Sequence, residues 1–100
     1  IVSGLAHGID AIAHRSALQQ QLPTIGVMAH GFKTIYPYVH RSLAKEMIDQ
    51  GGLLTEFWFD ALPDRHHFPQ RNRIVAGISD ATVVIETAVK GGSMITADLA

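Results

Sequence analysis

The sequence predicts an α/β fold, a Rossmann-like three-layer α/β/α architecture with a mostly parallel sheet. Short apolar runs alternate with segments of helical periodicity along the whole chain. These runs are continuously apolar, which is typical of strands buried on both faces of a parallel sheet. Hydrophobic residues make up 47% of the 100 residues, which is enough for one small core.

Four strand–helix pairs are expected in chain order. The predicted strands are the apolar runs at residues 1–5, 24–29, 53–57 and 81–86. The predicted helices carry apolar residues three and four positions apart; they run from residue 9 to before Pro23, from residue 39 to a stop at Gly51–Gly52, over residues 69–79, and from residue 93 onward. Residues 58–67 form a long predicted loop between the third strand and the third helix.

Both ends of the chain fall inside predicted elements. We therefore expect residues 1–100 to be part of a single Rossmann-like domain truncated at both ends, without its first strand–helix unit and its C-terminal part. The sequence contains no apolar run of membrane-spanning length and no signal-type segment, so no membrane partner is expected. It has no cysteine, which excludes disulfides and thiolate metal sites within these residues and favours a cytoplasmic location.

The most informative segment is the basic stretch around the third predicted helix. Residues 65–73 contain three arginines, two histidines and no acid, although the net charge of the chain is −1. Arg71, Asn72 and Arg73 follow Pro69 at the predicted helix start, where capping alone would favour Ser, Asp or Glu. Guanidinium groups beside the amides of a helix start form a strong receptor for phosphate.

Two glycine turns follow predicted strands and would meet at the same edge of the sheet. Ser3–Gly4 lies at the end of the first predicted strand, and Gly92–Ser93 with Thr96 follows the fourth. Ligands of such sheets bind beyond the carboxyl ends of the strands, and glycine lets backbone approach a phosphate closely. A plain tight turn at Gly4 and a simple N-cap at Ser93 are the alternatives.

Aromatic and cationic residues alternate in the loops of this edge. Lys33 and Arg41 follow the second strand, and Phe32, Tyr36 or His67 could stack on bases while the cations hold phosphates. A solvated loop with an extended lysine is the alternative. Residues 57–59, Phe-Trp-Phe, cannot all face one core, so a partner surface or a base-stacking surface is possible, with packing that anchors the loop as the favoured interpretation.

Catalytic patterns are weak by comparison. The six histidines show no HExxH-type spacing, and no G-x-S-x-G turn presents a serine nucleophile. The residues therefore indicate anion binding instead of bond breaking.

Six segments of the chain resemble, in order and spacing, the DNA-processing protein A family (DprA, also called Smf). They are VSGLAHGIDAIAH, GFKTIYP, GGLLTEF, HFPQRNRIVAGIS, VVIET and GGSMITADLA. The resemblance implies a Rossmann-like core that binds single-stranded DNA and hands it to the RecA recombinase in natural transformation. It also implies a homodimer, no catalytic activity and no cofactor. The residues that it places at the DNA are Ser3, Gly4, Arg41, Arg71, Asn72, Arg73, Gly92, Ser93 and Thr96, and the loop cation Lys33 joins them by position.

Two alternatives remain open at this point. Glu86, at the end of the fourth predicted strand and facing a glycine turn, would support an enzyme similar to the lysine-decarboxylase-like nucleotide phosphoribohydrolases. For one of Arg71 and Arg73, the alternative to a phosphate contact is an ion pair with Glu56 or Glu86 that fastens the helix to the sheet.

Overall fold

The structure, a computed structural model, describes residues 1–85 and contains a three-stranded parallel sheet with three α-helices. The elements in chain order are β1 (Val2–Ser3), α1 (Ile9–Gln19), β2 (Ile25–Val27), a 3₁₀ turn (Tyr38–His40) that leads into α2 (Arg41–Gln50), β3 (Gly52–Leu54) and α3 (His67–Gly77). The strand order is β1-β2-β3, and both pairs are parallel. The predicted α/β class with a parallel sheet is therefore confirmed.

The core lies between the sheet and the pair of helices α1 and α2. Its fully buried cluster is formed by the side chains of Leu5, Ala11, Leu43, Ala44 and Met47. Gly26 in β2 faces this cluster, since a Cβ at that position would lie 3.0 Å from Cε of Met47. The neighbouring residues of β2 point to the opposite face because side chains alternate along a strand, and α3 makes its main sheet contact with β2.

The third helix begins two residues earlier than predicted. Asp64 explains this start, because its carboxylate accepts the backbone N–H of His66 at 2.8 Å and its carbonyl accepts that of His67 at 2.9 Å. Pro69 lies in the first helical turn, where a backbone N–H has no intrahelical partner to lose. Arg71 consequently lies in the second turn of α3 and not among the helix-start amides, which corrects the expectation of a basic first turn.

The third strand is shorter than predicted and ends at Leu54. A polar turn ends it: the hydroxyl of Thr55 donates to the carbonyl of His30 at 2.7 Å and accepts the backbone N–H of Phe57 at 3.1 Å. The polar groups that follow Leu54 therefore form hydrogen bonds with the neighbouring loop and within their own turn, and not with a strand of the sheet.

The predicted fourth strand is wrong for the part that the structure describes. Residues 81–85 form no strand, and Glu86 and the helix predicted from residue 93 lie outside the described residues. A groove of about 640 Å³ lies between this segment and the edge of β1, and the side chains of Val83 and Ile85 are exposed. An apolar run becomes a strand only where a neighbour supplies ladder hydrogen bonds, and here β1 does not.

Within residues 1–85, no helix is long and apolar enough to cross a membrane.

Candidate functional site

Arg71 is the central residue of the carboxyl edge of the sheet. It extends from α3, is only 6% exposed, and its Nη1 donates to the carbonyl of Gly4 at 2.7 Å and to that of Val27 at 2.9 Å. Its Nε donates to the Oδ1 of Asn72 at 3.0 Å. Burial lowers the pKa of the Arg71 guanidinium, and the negative charge of Asp10 partly opposes that effect. The side chain thus joins the ends of β1 and β2 while it remains a buried cation.

Gly4 is required by this arrangement. A Cβ at position 4 would overlap the Nη1 and Cζ atoms of Arg71. The absence of a side chain allows the guanidinium to approach the backbone directly, a close approach that only glycine permits.

The backbone amides of the first glycine turn are already occupied. Oδ2 of Asp10 accepts the N–H of Gly4 at 3.0 Å and that of Ala6 at 3.3 Å, and Nε2 of His14 accepts the N–H of Leu5 at 3.2 Å. The amides of these three residues are therefore not free to receive a phosphate in this structure. Side-chain donors have to supply the contacts instead.

Two histidines fix the shape of the same turn. Leu5 is fully buried and has a left-handed backbone with φ of 58°, which a leucine adopts only when its surroundings impose it. Its N–H is held by His14, and its carbonyl accepts Nδ1–H of His40 at 2.9 Å. Because Nε2 of His14 is an acceptor, its hydrogen lies on Nδ1 and is donated to the hydroxyl of Thr24 at 2.7 Å. Burial lowers the pKa of His14 from 6.5 to about 4, so the ring is neutral.

Four of the predicted DNA-contacting residues line one cavity, which we call the polar cavity. It has a volume of about 350 Å³, and its lining includes Ser3, Gly4, Asp10, Arg71 and Asn72. The structure thus brings together the end of β1 and the second turn of α3, which agrees with the expectation that the first glycine turn and the basic segment lie at one edge of the sheet. Whether they bind DNA stays a prediction.

A second cavity lies on the other side of Arg71, and we call it the aromatic cavity. Its volume is about 340 Å³, and Tyr36, Pro37 and Phe68 line it together with Gly4 and Arg71. The ring centroids of Tyr36 and Phe68 are 6.3 Å apart, and the guanidinium of Arg71 lies 5.6 Å from the centre of the Phe68 ring. This cavity combines flat apolar walls with a cation at one end.

The remaining predicted cations lie outside both cavities. Arg73 forms an ion pair with Glu56, which confirms for this arginine the alternative of a contact that fastens the helix near the end of β3. Arg41 is the first residue of α2, and its guanidinium lies 4.7 Å from the centre of the Tyr38 ring. Lys33 is exposed in the loop after β2. The second glycine turn, with Gly92, Ser93 and Thr96, lies outside the described residues.

Sequence reasoning assigned no role to Asp10 or Phe68. Asp10 follows the glycine turn at the start of a helix, which is the usual position for a capping acid and could have indicated its bonds to the turn. Phe68 precedes Pro69 in the basic segment, but nothing local indicates that it faces Tyr36. His67 does not offer its ring to the cavity, since it stacks on Phe57 at 4.2 Å and bonds the carbonyl of Ala29 at 3.0 Å.

Among residues 1–85, no group of three or more histidine and acidic side chains is placed to hold a metal ion.

Comparison with known proteins agrees with this geometry. The family model of DNA recombination-mediator protein A matches residues 1–100. The chain is 46% identical over 98 residues to the protein Smf of Escherichia coli K12 and 44% identical over 97 residues to the DNA processing protein DprA of Bacillus subtilis 168. These matches cover 97% of this chain in both cases, but only 26% and 33% of those two relatives.

Solved structures give the same result. DNA processing protein A from Streptococcus pneumoniae superposes with a TM-score of 0.88 at 39% identity, covering 98% of this chain and 35% of that protein. DNA processing protein A from Helicobacter pylori, studied for its mode of single-stranded DNA binding, superposes with a TM-score of 0.88 at 35% identity, covering 99% of this chain and 45% of that protein. The chain therefore belongs to the DNA recombination-mediator protein A family and shares its Rossmann-like fold.

Proposed function

We propose that this chain is part of a DNA-processing protein that binds single-stranded DNA at the carboxyl edge of its sheet. The observation that carries the proposal is Arg71, a buried guanidinium placed between a polar and an aromatic cavity. Within residues 1–85 the ion pair is that of Arg73 with Glu56, so no carboxylate in this part of the chain pairs directly with Arg71.

A buried cation of this kind favours an anionic ligand. Burial removes water from the guanidinium and lowers its pKa, which means that its charge is incompletely compensated. Its Nε and Nη1 are used internally, while Nη2 has no acceptor among residues 1–85. A phosphate oxygen in the polar cavity would accept from Nη2, with the hydroxyl of Ser3 and the amide of Asn72 as neighbours.

The aromatic cavity supplies the second requirement of a nucleic-acid site. A phosphate and its base are covalently joined, so a protein that holds one beside Arg71 places the other within reach of the Tyr36 and Phe68 rings. Base–aromatic stacking is tolerant of sequence, because every base has a π-face. Such a site therefore suits single-stranded DNA of any sequence better than duplex DNA, whose bases are stacked inside.

The relatives support the biological part of the proposal. Proteins similar to this chain are named DNA processing proteins, and the Helicobacter pylori relative binds single-stranded DNA. We propose that the whole protein acts as a cytoplasmic homodimer that protects incoming strands in natural transformation and passes them to the RecA recombinase, without a catalytic step. Because the chain spans about a quarter to a third of these curated relatives, this role belongs to the complete protein.

The test is a titration of the full-length protein with labelled oligo(dT) at several ionic strengths. The variants are Arg71→Lys, which keeps the charge but loses the forked donor, and Lys33→Gln, which removes an exposed cation. We expect about three- to tenfold weaker binding for Lys33→Gln and a salt slope that is smaller by about one counterion. Arg71→Lys should weaken binding more, because a single ammonium nitrogen lacks the planar fork that lets Nη1 hold the two carbonyls while Nη2 faces a phosphate.

Arg15→Gln is the matched control, since Arg15 is an exposed arginine of α1 that lines neither cavity. It should leave the affinity and the salt slope unchanged. Circular dichroism and thermal unfolding of every variant separate a loss of binding from a loss of fold. Wild-type protein that fails to bind oligo(dT) at low salt, or that releases base from nucleoside monophosphates, would contradict the proposal.

A further inference from the structure

The most exposed aromatic group of the described chain lies on the loop after β3. Trp58 is 86% exposed and Phe59 is 65% exposed, and Phe32 on the adjacent loop is 49% exposed. Exposed large aromatic side chains in a group are uncommon on protein surfaces and mark binding surfaces. None of these three residues lines the polar or the aromatic cavity.

The backbone holds this group in place. The N–H of Lys33 donates to the carbonyl of Phe59 at 2.9 Å, and the N–H of Gly31 donates to the carbonyl of Ala61 at 2.9 Å. A turn with a 2.9 Å bond from the N–H of Ala61 to the carbonyl of Trp58 closes the loop. Gly31 makes the contact possible, since a Cβ there would overlap the carbonyl oxygens of Trp58 and Phe59. The two loops therefore form one unit whose backbone is ordered before a ligand binds, which lowers the entropic cost of binding.

This unit continues directly from the aromatic cavity. His30 lines that cavity, and Lys33 is three residues further along the chain, so their Cα atoms are at most about 11 Å apart. Lys33 places a cation beside the exposed rings, and within residues 1–85 it has no carboxylate partner. The turn Trp58–Ala61 carries one acid, Asp60, which disfavours phosphate contacts on the turn itself. Rings for bases and a lysine for phosphate are thus adjacent, at the exit of the proposed site.

We propose that Trp58 and Phe59 form a stacking platform for bases of the same DNA strand after it leaves the aromatic cavity, with Lys33 holding the intervening phosphate. The inference rests on the proposed function, and it extends the DNA path to the loop after β3. Interleaved aromatic and cationic side chains are the pattern by which proteins hold single strands without reading their sequence.

The test uses full-length protein, oligo(dT) of about 5 and about 20 nucleotides, and the variants Trp58→Phe, Trp58→Leu and Trp58→Leu/Phe59→Leu. Because both side chains are largely exposed, these substitutions leave the fold intact, which thermal unfolding checks. We expect Trp58→Leu/Phe59→Leu to weaken binding of the long strand about five- to fiftyfold. The short strand occupies only the two cavities and should therefore bind all variants equally. Trp58→Phe should retain most of the wild-type affinity for the long strand.

Two readouts distinguish stacking from other effects. Stacking releases no counterions, so the leucine variants should lower affinity without changing the salt slope, whereas Lys33→Gln should reduce the slope by about one. Base stacking also quenches indole emission, and Trp58 is the single tryptophan of these 100 residues. The part of the DNA-induced quenching that disappears in Trp58→Phe therefore measures stacking on Trp58.

The outcomes separate this inference from the function on which it rests. If the wild type binds DNA and Trp58→Leu/Phe59→Leu binds long strands with the same affinity, the platform is overturned and the cavity site remains. The loop is then a surface for a protein partner. Wild-type protein that binds neither strand overturns both proposals.

Discussion

The carbonyl of Gly4 and the guanidinium of Arg71 form one structural unit, although 67 positions separate them in the sequence. The bond of 2.7 Å between them ties the end of β1 to the second turn of α3 and leaves the cation between two cavities. Neither residue can change independently, because the guanidinium occupies the space that a side chain at position 4 would need. The candidate site and the packing of α3 on the sheet therefore depend on the same contact.

We predict that Gly4→Ala destabilises the protein and also weakens DNA binding. The new methyl group displaces Arg71 and breaks the bonds of a charged donor to the carbonyls of Gly4 and Val27. Buried carbonyls without a partner cost about 1–3 kcal/mol each, so we expect a loss of about 2–4 kcal/mol in the free energy of unfolding. Urea unfolding and oligo(dT) titration of the same preparation measure both effects.

The matched control is Gly52→Ala at the start of β3. A Cβ at position 52 has no atom within 4 Å, so this change should alter stability by less than about 1 kcal/mol and leave DNA binding intact. Equal behaviour of the two alanine variants would show that Arg71 adapts without loss.

A second prediction concerns pH, because His14 is neutral in the folded protein. Its pKa falls from 6.5 to about 4 through burial, while the unfolded chain keeps the ordinary value. Between these values the unfolded state binds a proton that the folded state does not, so stability is complete above pH 6.5 and declines as the pH falls toward 4. The total loss from this residue is about 3 kcal/mol. Urea unfolding at pH 7.5 and pH 4.5 measures it.

The variant His14→Gln identifies the group responsible. Glutamine does not titrate, so the variant should be less stable at neutral pH but should lose less stability on acidification. The substitution weakens the hydrogen bonds that the His14 ring makes with Leu5 and Thr24, which accounts for the lower stability of the variant at neutral pH. An unchanged pH dependence in His14→Gln would assign the effect to the other histidines of this edge.

The fold was predictable because its signals are local. Periodicity of three and four residues indicated α1, α2 and α3, and continuously apolar runs indicated the parallel strands β1, β2 and β3. The segment 81–85 has the same apolar composition and forms no strand, because ladder pairing depends on a neighbour that composition does not describe.

The site was predictable in its location but not in its chemistry. The rule that ligands bind at the carboxyl ends of parallel strands indicated Ser3 and Gly4, the basic segment indicated Arg71, and the structure places the three residues around one cavity. The different environments of Arg71 and Arg73 could not be read from the sequence, because they depend on where α3 begins and on which strand carbonyls lie beneath it. Nor does the sequence state that Asp10 would occupy the amides of the turn, since that requires the exact path of residues 4–6.

A third prediction follows from the ion pair between Arg73 and Glu56. The two side chains are 55% and 31% exposed, so the pair contributes less than about 1 kcal/mol to stability. Glu56→Gln releases Arg73 and removes a charge that repels phosphates. We expect about three- to tenfold tighter binding of oligo(dT) and a salt slope larger by about one counterion. Glu46→Gln on α2, an exposed acid remote from both cavities, should change neither quantity.

The last prediction tests whether the polar cavity is an anion site whose affinity Asp10 limits. Asp10 lines the cavity beside Arg71, where its charge attracts the guanidinium and repels an incoming phosphate. Asp10→Asn keeps an oxygen that can accept the N–H groups of Gly4 and Ala6 but removes the charge, so oligo(dT) should bind about five- to tenfold more tightly at low salt. Stability should fall by about 1–2 kcal/mol, because a neutral amide accepts these bonds more weakly than a carboxylate.

Asp49→Asn, an exposed change on α2, controls for the general effect of one fewer negative charge. Weaker binding in a folded Asp10→Asn variant would mean that the phosphate does not enter this cavity and that the DNA strand follows the aromatic side of Arg71 instead.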